Sequence, residues 1–170
     1  MVTCHLGAGA SLCAVRDGRS VDTTMGMTPL EGLVMATRAG SIDPGLVVWV
    51  QQYGGLSLGA VQHTLEEESG LKGLFGSGDM RDVLAARAEG DDAAILAFDV
   101  YVHQLRREIG AMTASLGGLD ALVFTGGVGE HAPEVRDAAA QPFAGAETLV
   151  VAAREDLEIA RMVFSLTTAR

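Results

Sequence analysis

Short apolar runs broken by glycine or turn pairs occupy both ends of the chain, and helical spacing fills the middle. Met1 to Leu6 reads as a strand, Gly7-Ala8-Gly9 interrupts it, and Ala10 to Arg16 reads as a second strand. Asp17-Gly18 is a hairpin signal, because both residue types accept the positive φ of a tight turn. Ser20 to Met25 then makes a third strand, so the opening is an antiparallel three-strand meander. Asp43-Pro44-Gly45 starts a helix that runs through Trp49 and stops at Gly54-Gly55. Ser57 opens another helix, ended by Gly70. Gly76-Ser77-Gly78 reads as a loop, and Asp79 as the start of a helix through Ala88. The longest helix begins at Gly90-Asp91 and ends at Gly117-Gly118. Its Ile95, Phe98, Val102, Leu105, Ile109 and Met112 recur at three and four residues and form an amphipathic face.

Ala121-Leu122-Val123-Phe124 is a short buried strand, and Gly126-Gly127 with Gly129 break it into a loop. Pro133 follows, where a helix can start without losing a hydrogen bond. Thr148 to Ala152 is a last strand and Glu155 to Leu166 a terminal helix. The order is three strands, helices, then strand, helix, strand, helix. Hairpin-linked first strands exclude a Rossmann repeat and suit an α/β fold, a mixed sheet with helices on its faces. A chain that opens directly in a strand is what a piece of a larger fold would show.

Composition narrows the classes. The chain has 170 residues, 48% of them hydrophobic, with mean hydropathy +0.27. That is enough to bury a core in one domain, and too apolar for disorder. No uncharged apolar run is long enough to span a membrane, and no leader pattern opens the chain, so a cytoplasmic protein with no membrane partner is expected. A net charge of −10 disfavours nucleic acid as a partner, since phosphate backbones need a basic face. It leaves room for a nucleotide, which needs only a local site. Cys4 and Cys13 fall on neighbouring strands and read as small residues of a reduced protein, not as a disulfide framework or zinc site.

Three segments carry candidate chemistry. His5-Leu6-Gly7-Ala8-Gly9 is either a plain hairpin loop or a place where a phosphate can approach the backbone. Asp79-Met80-Arg81 is either a helix cap or a loop able to accept from a ribose or base. Gly127-Val128-Gly129-Glu130-His131 is either a tight turn or a phosphate loop at the head of a helix.

Taken in order, the runs His5-Leu6-Gly7, Gly9-Ala10-Ser11, Thr28-Pro29-Leu30-Glu31-Gly32-Leu33, Thr37-Arg38, Asp43-Pro44-Gly45, Asp79-Met80-Arg81-Asp82, Gly117-Gly118-Leu119-Asp120, Val123-Phe124-Thr125 and Gly129-Glu130 resemble the C-terminal half of the acetate kinase (acetokinase) family. The match covers almost the whole chain. The resemblance implies a ribonuclease-H-like fold of the actin-like ATPase superfamily, with residues 1–170 as a C-terminal ATP-binding domain. It implies that the three segments bind ATP, that Arg38 stabilises the transferring phosphoryl group, and that Glu155 is a carboxylate of a Mg²⁺ (or Mn²⁺) site. The implied reaction is reversible phosphoryl transfer from ATP to acetate, giving acetyl phosphate and ADP. A homodimer is implied as well.

These roles fit the residue types. Phosphoryl transfer asks for positioning and charge neutralisation more than covalent help. Arg38 offers a planar fork of donors, although a structural salt bridge is its simpler use. Mg²⁺ needs only one or two carboxylates, although Glu155 could equally serve the dipole of its helix.

Departures from the family pattern are specific. Ala8 and His131 each stand where the family has asparagine. The stretch between Arg136 and Glu155 is shorter than the family's. The family's N-terminal domain, with most of the acyl-substrate pocket, has no counterpart in these residues, so a separate N-terminal half is an expected partner. The alternatives are a non-catalytic nucleotide-binding or dimer-forming remnant, and a relative directed at propionate or butyrate.

Overall fold

The computed structural model describes residues 1–168, so the last two residues of the domain expected over 1–170 lie outside the described residues. The expected meander is present as β1 (Val2–Leu6), β2 (Ala10–Arg16) and β3 (Arg19–Thr23). Positive φ at Asp17 and Gly18 makes the β2–β3 turn. The third strand is shorter than the sequence suggested. Thr24 N–H still donates to Leu12 O at 3.1 Å, but Leu12 N–H is taken by the Thr24 hydroxyl at 2.9 Å and not by a main-chain carbonyl, and the ladder stops there.

Next come α1 (Pro44–Tyr53), α2 (Leu58–Glu67), α3 (Gly70–Phe75), α4 (Met80–Ala88) and α5 (Asp92–Leu116). Four of these have side-chain caps: Asp43, Ser57, Asp79 and Asp91 accept from N–H groups of the first turn of α1, α2, α4 and α5. Gly70 was expected to end the helix opened by Ser57; it opens α3 instead. Its φ is +60°, and a Cβ there would sit 2.3 Å from Met35 O. Only glycine lets α3 pack so closely on the 35–38 backbone, where Leu71 N–H and Lys72 N–H donate to Met35 O and Ala36 O.

The chain closes with β4 (Ala121–Thr125), α6 (Gly126–His131), α7 (Pro133–Ala140), a 3₁₀ turn, β5 (Glu147–Val150) and α8 (Glu155–Thr168). The sheet order is β3-β2-β1-β4-β5. β1 and β2, and β2 and β3, are antiparallel, while β1–β4 and β4–β5 are parallel. The sheet is therefore mixed, as expected. The last strand ends at Val150 and not Ala152; Val151 N–H donates the final bond, to Phe124 O.

Period-2 alternation places Val2, Cys4 and Leu6 of β1, Ala10, Leu12 and Ala14 of β2, and Leu122 and Phe124 of β4 in one buried core. α5 packs its buried stripe on this sheet. That stripe includes Ala94, Ala97 and Tyr101 and leaves out Ile95, which is exposed, so the real face is turned slightly from the one the large residues alone suggested. Cys4 pairs in register with Leu12, and Cys13 with Thr3. The two thiols thus point to opposite faces of the sheet, and both are free.

Candidate functional site

β1 and β4 run parallel, with Val2 opposite Leu122 and His5 opposite Thr125, so both strands deliver their C-terminal ends to the same edge. From β1 the chain enters Gly7-Ala8-Gly9, a turn closed by Gly7 N–H donating to Gly9 O at 2.9 Å. From β4 it enters α6 directly. The expected glycine loop is this helix: Gly126 through His131 wind at once, and Pro133 starts a second helix, α7, rather than the first.

Glycine propensity opposes a helix here, and two side chains overcome it. Glu130 Oε1 accepts from Gly126 N–H at 3.0 Å. Arg136 Nη1 donates to Gly129 O and Glu130 O, both at 2.9 Å. Gly126 adopts φ +80° against β1, where a Cβ would meet Leu6 O at 2.8 Å.

The second segment is the head of α4. Asp79 accepts from Arg81 N–H at 2.9 Å and from the Arg81 guanidinium. The Arg81 hydrogen bond holds the Asp79 carboxyl down at about 2, and the same contact raises the Arg81 guanidinium. Asp79 is thus a helix cap, as one reading of the sequence had it, and an ionised one.

A cleft of about 460 Å³ gathers Gly7 and Ala8 from the first segment, Asp79, Met80 and Arg81 from the second, and Gly127, Val128 and His131 from the third. That volume suits a small organic ligand. Much of the lining is apolar, through Met80, Leu84, Val128 and Ala132. A second cavity of about 360 Å³ shares the Gly7 and Gly127 walls and adds His5, Glu130, Ala153, Glu155 and Asp156. His5 Nε2 lies 3.7 Å from Glu155 Oε1.

Other site candidates fall elsewhere. Leu6 is fully buried core, and Gly129 is buried, with a Cβ there meeting Phe124 carbonyl carbon at 3.5 Å. Gly9 faces Arg38, whose Nη1 is 3.4 Å from the Cβ position of Gly9. Arg38 is half-buried, donates to Pro29 O at 3.3 Å, and forms no salt bridge among the described residues. The structural ion pair considered for it is absent among the described residues.

Sequence reasoning missed Ala36, Gly78, Leu84 and Ala132 in the cleft and Ala153 and Asp156 beside it. Gly78 could have been found from Gly76-Ser77-Gly78; the others carry no local signal. Among the described residues no group of three or more His, Cys, Asp or Glu could cage a metal ion. Glu155 and Asp156, both exposed at the mouth of the second cavity, are a donor set that suits a cation bringing its own waters and phosphate ligands. No helix among the described residues is long and apolar enough to cross a membrane.

A mixed sheet with a ligand-sized cleft at the shared ends of its parallel strands defines an α/β domain of the ribonuclease-H-like, actin-like ATPase fold. The chain belongs to the acetokinase family, whose family model matches residues 1–157. An acetate kinase of Nostoc punctiforme is 56% identical over 144 residues, which are 84% of this chain and 36% of that protein. The crystal structure of Porphyromonas gingivalis acetate kinase superposes with a TM-score of 0.92 at 30% identity, over 98% of this chain and 49% of the other. A propionate kinase from Francisella tularensis superposes with a TM-score of 0.89 at 36% identity, over 94% and 47%. The chain thus spans 36% of the length of that curated relative and about half of these solved chains.

Proposed function

We propose that these residues are the nucleotide-binding half of an acetate-kinase-type phosphotransferase that moves a phosphoryl group between ATP and a short carboxylate. One observation carries this reading: three segments far apart in sequence converge on a single cleft, and a second cavity that shares its Gly7 and Gly127 walls is lined by Glu155. The apolar lining suits a base, and Gly7 and Gly127 let phosphates pass between the two cavities without a side chain in the way. Glu155, with Asp156, would hold Mg²⁺, which supplies charge neutralisation at the phosphates when bound. Arg38, which makes no salt bridge among the described residues, would face the transferring group. Acetate is the first substrate to try, and propionate the second, because kinases of both acids superpose on the chain. A second copy of the chain would cover α1, which buries none of its residues and exposes Trp49 and Tyr53. Sedimentation that finds only monomer at high concentration would refute that part.

Calorimetry of Mg·ATP against the 170-residue chain tests the nucleotide reading. Binding is expected, saturable and competed by ADP. A folded chain that gives neither heat nor a thermal shift at millimolar nucleotide refutes it. Hydroxamate trapping from ATP and acetate should find no product with the chain alone, and product once a family N-terminal half is added. The reason is orientation: the acyl pocket is expected in the family's other half, and holding a carboxylate in line with the γ-phosphorus is worth roughly 7–11 kcal/mol of barrier.

A further inference from the structure

One side chain joins the walls of the two cavities. Glu130 Oε1 accepts from Gly126 N–H at 3.0 Å and also from Ala153 N–H at 2.9 Å. Gly126 opens α6, and Ala153 stands two residues before Glu155, where α8 begins. The last sheet bond on this connection is Val151 N–H to Phe124 O. Beyond it, among the described residues, the Glu130 carboxylate is the sole hydrogen-bond partner that ties residues 152–154 to the rest of the fold. Apart from the 3.7 Å approach of His5 Nε2 to the exposed Glu155 Oε1, packing does not fix α8 either, because none of its side chains is buried. Glu130 is itself held still: Arg136 clamps its carbonyl and that of Gly129.

We propose that Glu130 is a positioning residue that sets the glycine start of α6 and the Glu155 carboxylate at a fixed separation, and so couples nucleotide binding to Mg²⁺. This rests on the nucleotide reading above and on Glu155 as the carboxylate toward the cation. Glu130 acts through Ala153 and does not touch the phosphates. Both of its acceptor roles fall on one oxygen, so a carboxamide can replace it, whereas a side chain one methylene shorter cannot span both amides.

The test uses the full chain, with ATP titrated in the presence and absence of Mg²⁺, and amide exchange followed by NMR, for wild type, Glu130→Ala, Glu130→Asp and Glu130→Gln. Because Glu130 lines the second cavity, the metal-free ATP affinity of each variant is measured as its own baseline, and the Mg²⁺-dependent gain is read against it. The Mg²⁺-dependent gain should fall about tenfold or more in Glu130→Ala and Glu130→Asp, as when a residue that orients a metal ligand is removed, and persist in Glu130→Gln. Ala153 exchange should quicken in the first two variants and not in the third. If Glu130→Ala does not fold, Glu130→Asp carries the same prediction. The proposal is overturned if the truncated variants keep both the Mg²⁺-dependent gain and the Ala153 protection, or if they lose metal-free ATP binding to the same degree. A wild-type chain that takes up no ATP refutes the nucleotide reading instead. Ala153 exchange then decides for the brace if it quickens in Glu130→Ala, and against it if it does not.

Discussion

Two adjacent glycines at the head of α6 should respond in opposite ways to the same methyl group. Gly126 has φ +80°, a conformation that costs an L-residue roughly 1–2 kcal/mol. A Cβ there would lie 2.8 Å from Leu6 O, 2.9 Å from Leu6 C and 3.1 Å from Leu6 N. These are backbone atoms of β1 and cannot rotate away. Relief requires β1 to move from β4, along the register from Val2–Leu122 to His5–Thr125. Forcing such an overlap adds about 1–3 kcal/mol. Gly126→Ala should therefore lose about 2–5 kcal/mol of stability and melt roughly 5–15 °C lower. Gly127 has no positive φ, and its Cβ position has no atom within 4 Å. Gly127→Ala should melt at the wild-type temperature or slightly above, since alanine is favoured in a helix by about 0.5–1 kcal/mol. Yet Gly127 lines both cavities, so the same methyl should weaken Mg·ATP binding. Circular-dichroism melts and nucleotide calorimetry on the two variants give the comparison. A Gly126→Ala chain that melts like wild type, or a Gly127→Ala chain that is the less stable of the two, refutes the account of this turn.

Three further outcomes follow from other parts of the chain. Arg38→Ala should move unfolding by no more than about half a kcal/mol, because no salt bridge is lost, while abolishing product in the two-half hydroxamate assay. Loss of folding would return Arg38 to a structural role. In thiol titration near pH 8 the native chain should show one reactive cysteine, Cys13, since burial pushes the Cys4 thiol up to about 12 and keeps it protonated. Two fast thiols before denaturant is added would contradict the packing of β1. A chain ending at Ala153 should melt within about 3 °C of the parent, because α8 buries no side chain, and should lose the Mg²⁺ dependence of ATP binding.

The sheet was legible because its signal is local. Val2, Cys4 and Leu6, and then Ala10, Leu12 and Ala14, alternate with half-buried residues at the period that any strand must show. α5 was legible for its length, with its phase displaced only because Ala94 and Ala97 carry little hydrophobic weight and are fully buried all the same. α3 was not legible. Gly70 carries the mark of a helix stop, and its actual use, a close approach to Met35 O, is visible only once residues 35 and 70 are side by side. The same holds for Gly126 to Gly129, which looks like a loop until the Glu130 and Arg136 side chains are seen bonding its amide and carbonyl groups. The three segments that meet at the cleft were picked out through resemblance. That Leu6 and Gly129 within them serve the core, and that Glu130 reaches Ala153 from 23 residues away, was not.

The site is framed by backbone, and this bears on the two departures from the family pattern. Parallel pairing of β1 with β4 brings Gly7 and Gly126 to one edge, the position where open α/β sheets receive ligands. The head of α4 is brought in by Ala36. Its N–H donates to Ala8 O at 3.1 Å, its carbonyl accepts from Lys72 N–H at 2.9 Å, and the Cβ position of Gly78 lies 3.0 Å from that same carbonyl. Each of these contacts is made by main-chain atoms, so none depends on the side chains of Ala8 or His131. Those two residues line the cleft without holding it open. On the nucleotide reading proposed above, an alanine and an imidazole in place of two amides would alter which hydrogen bonds the cleft offers, while the spacing of its walls stays that of the strands and the Ala36 contacts.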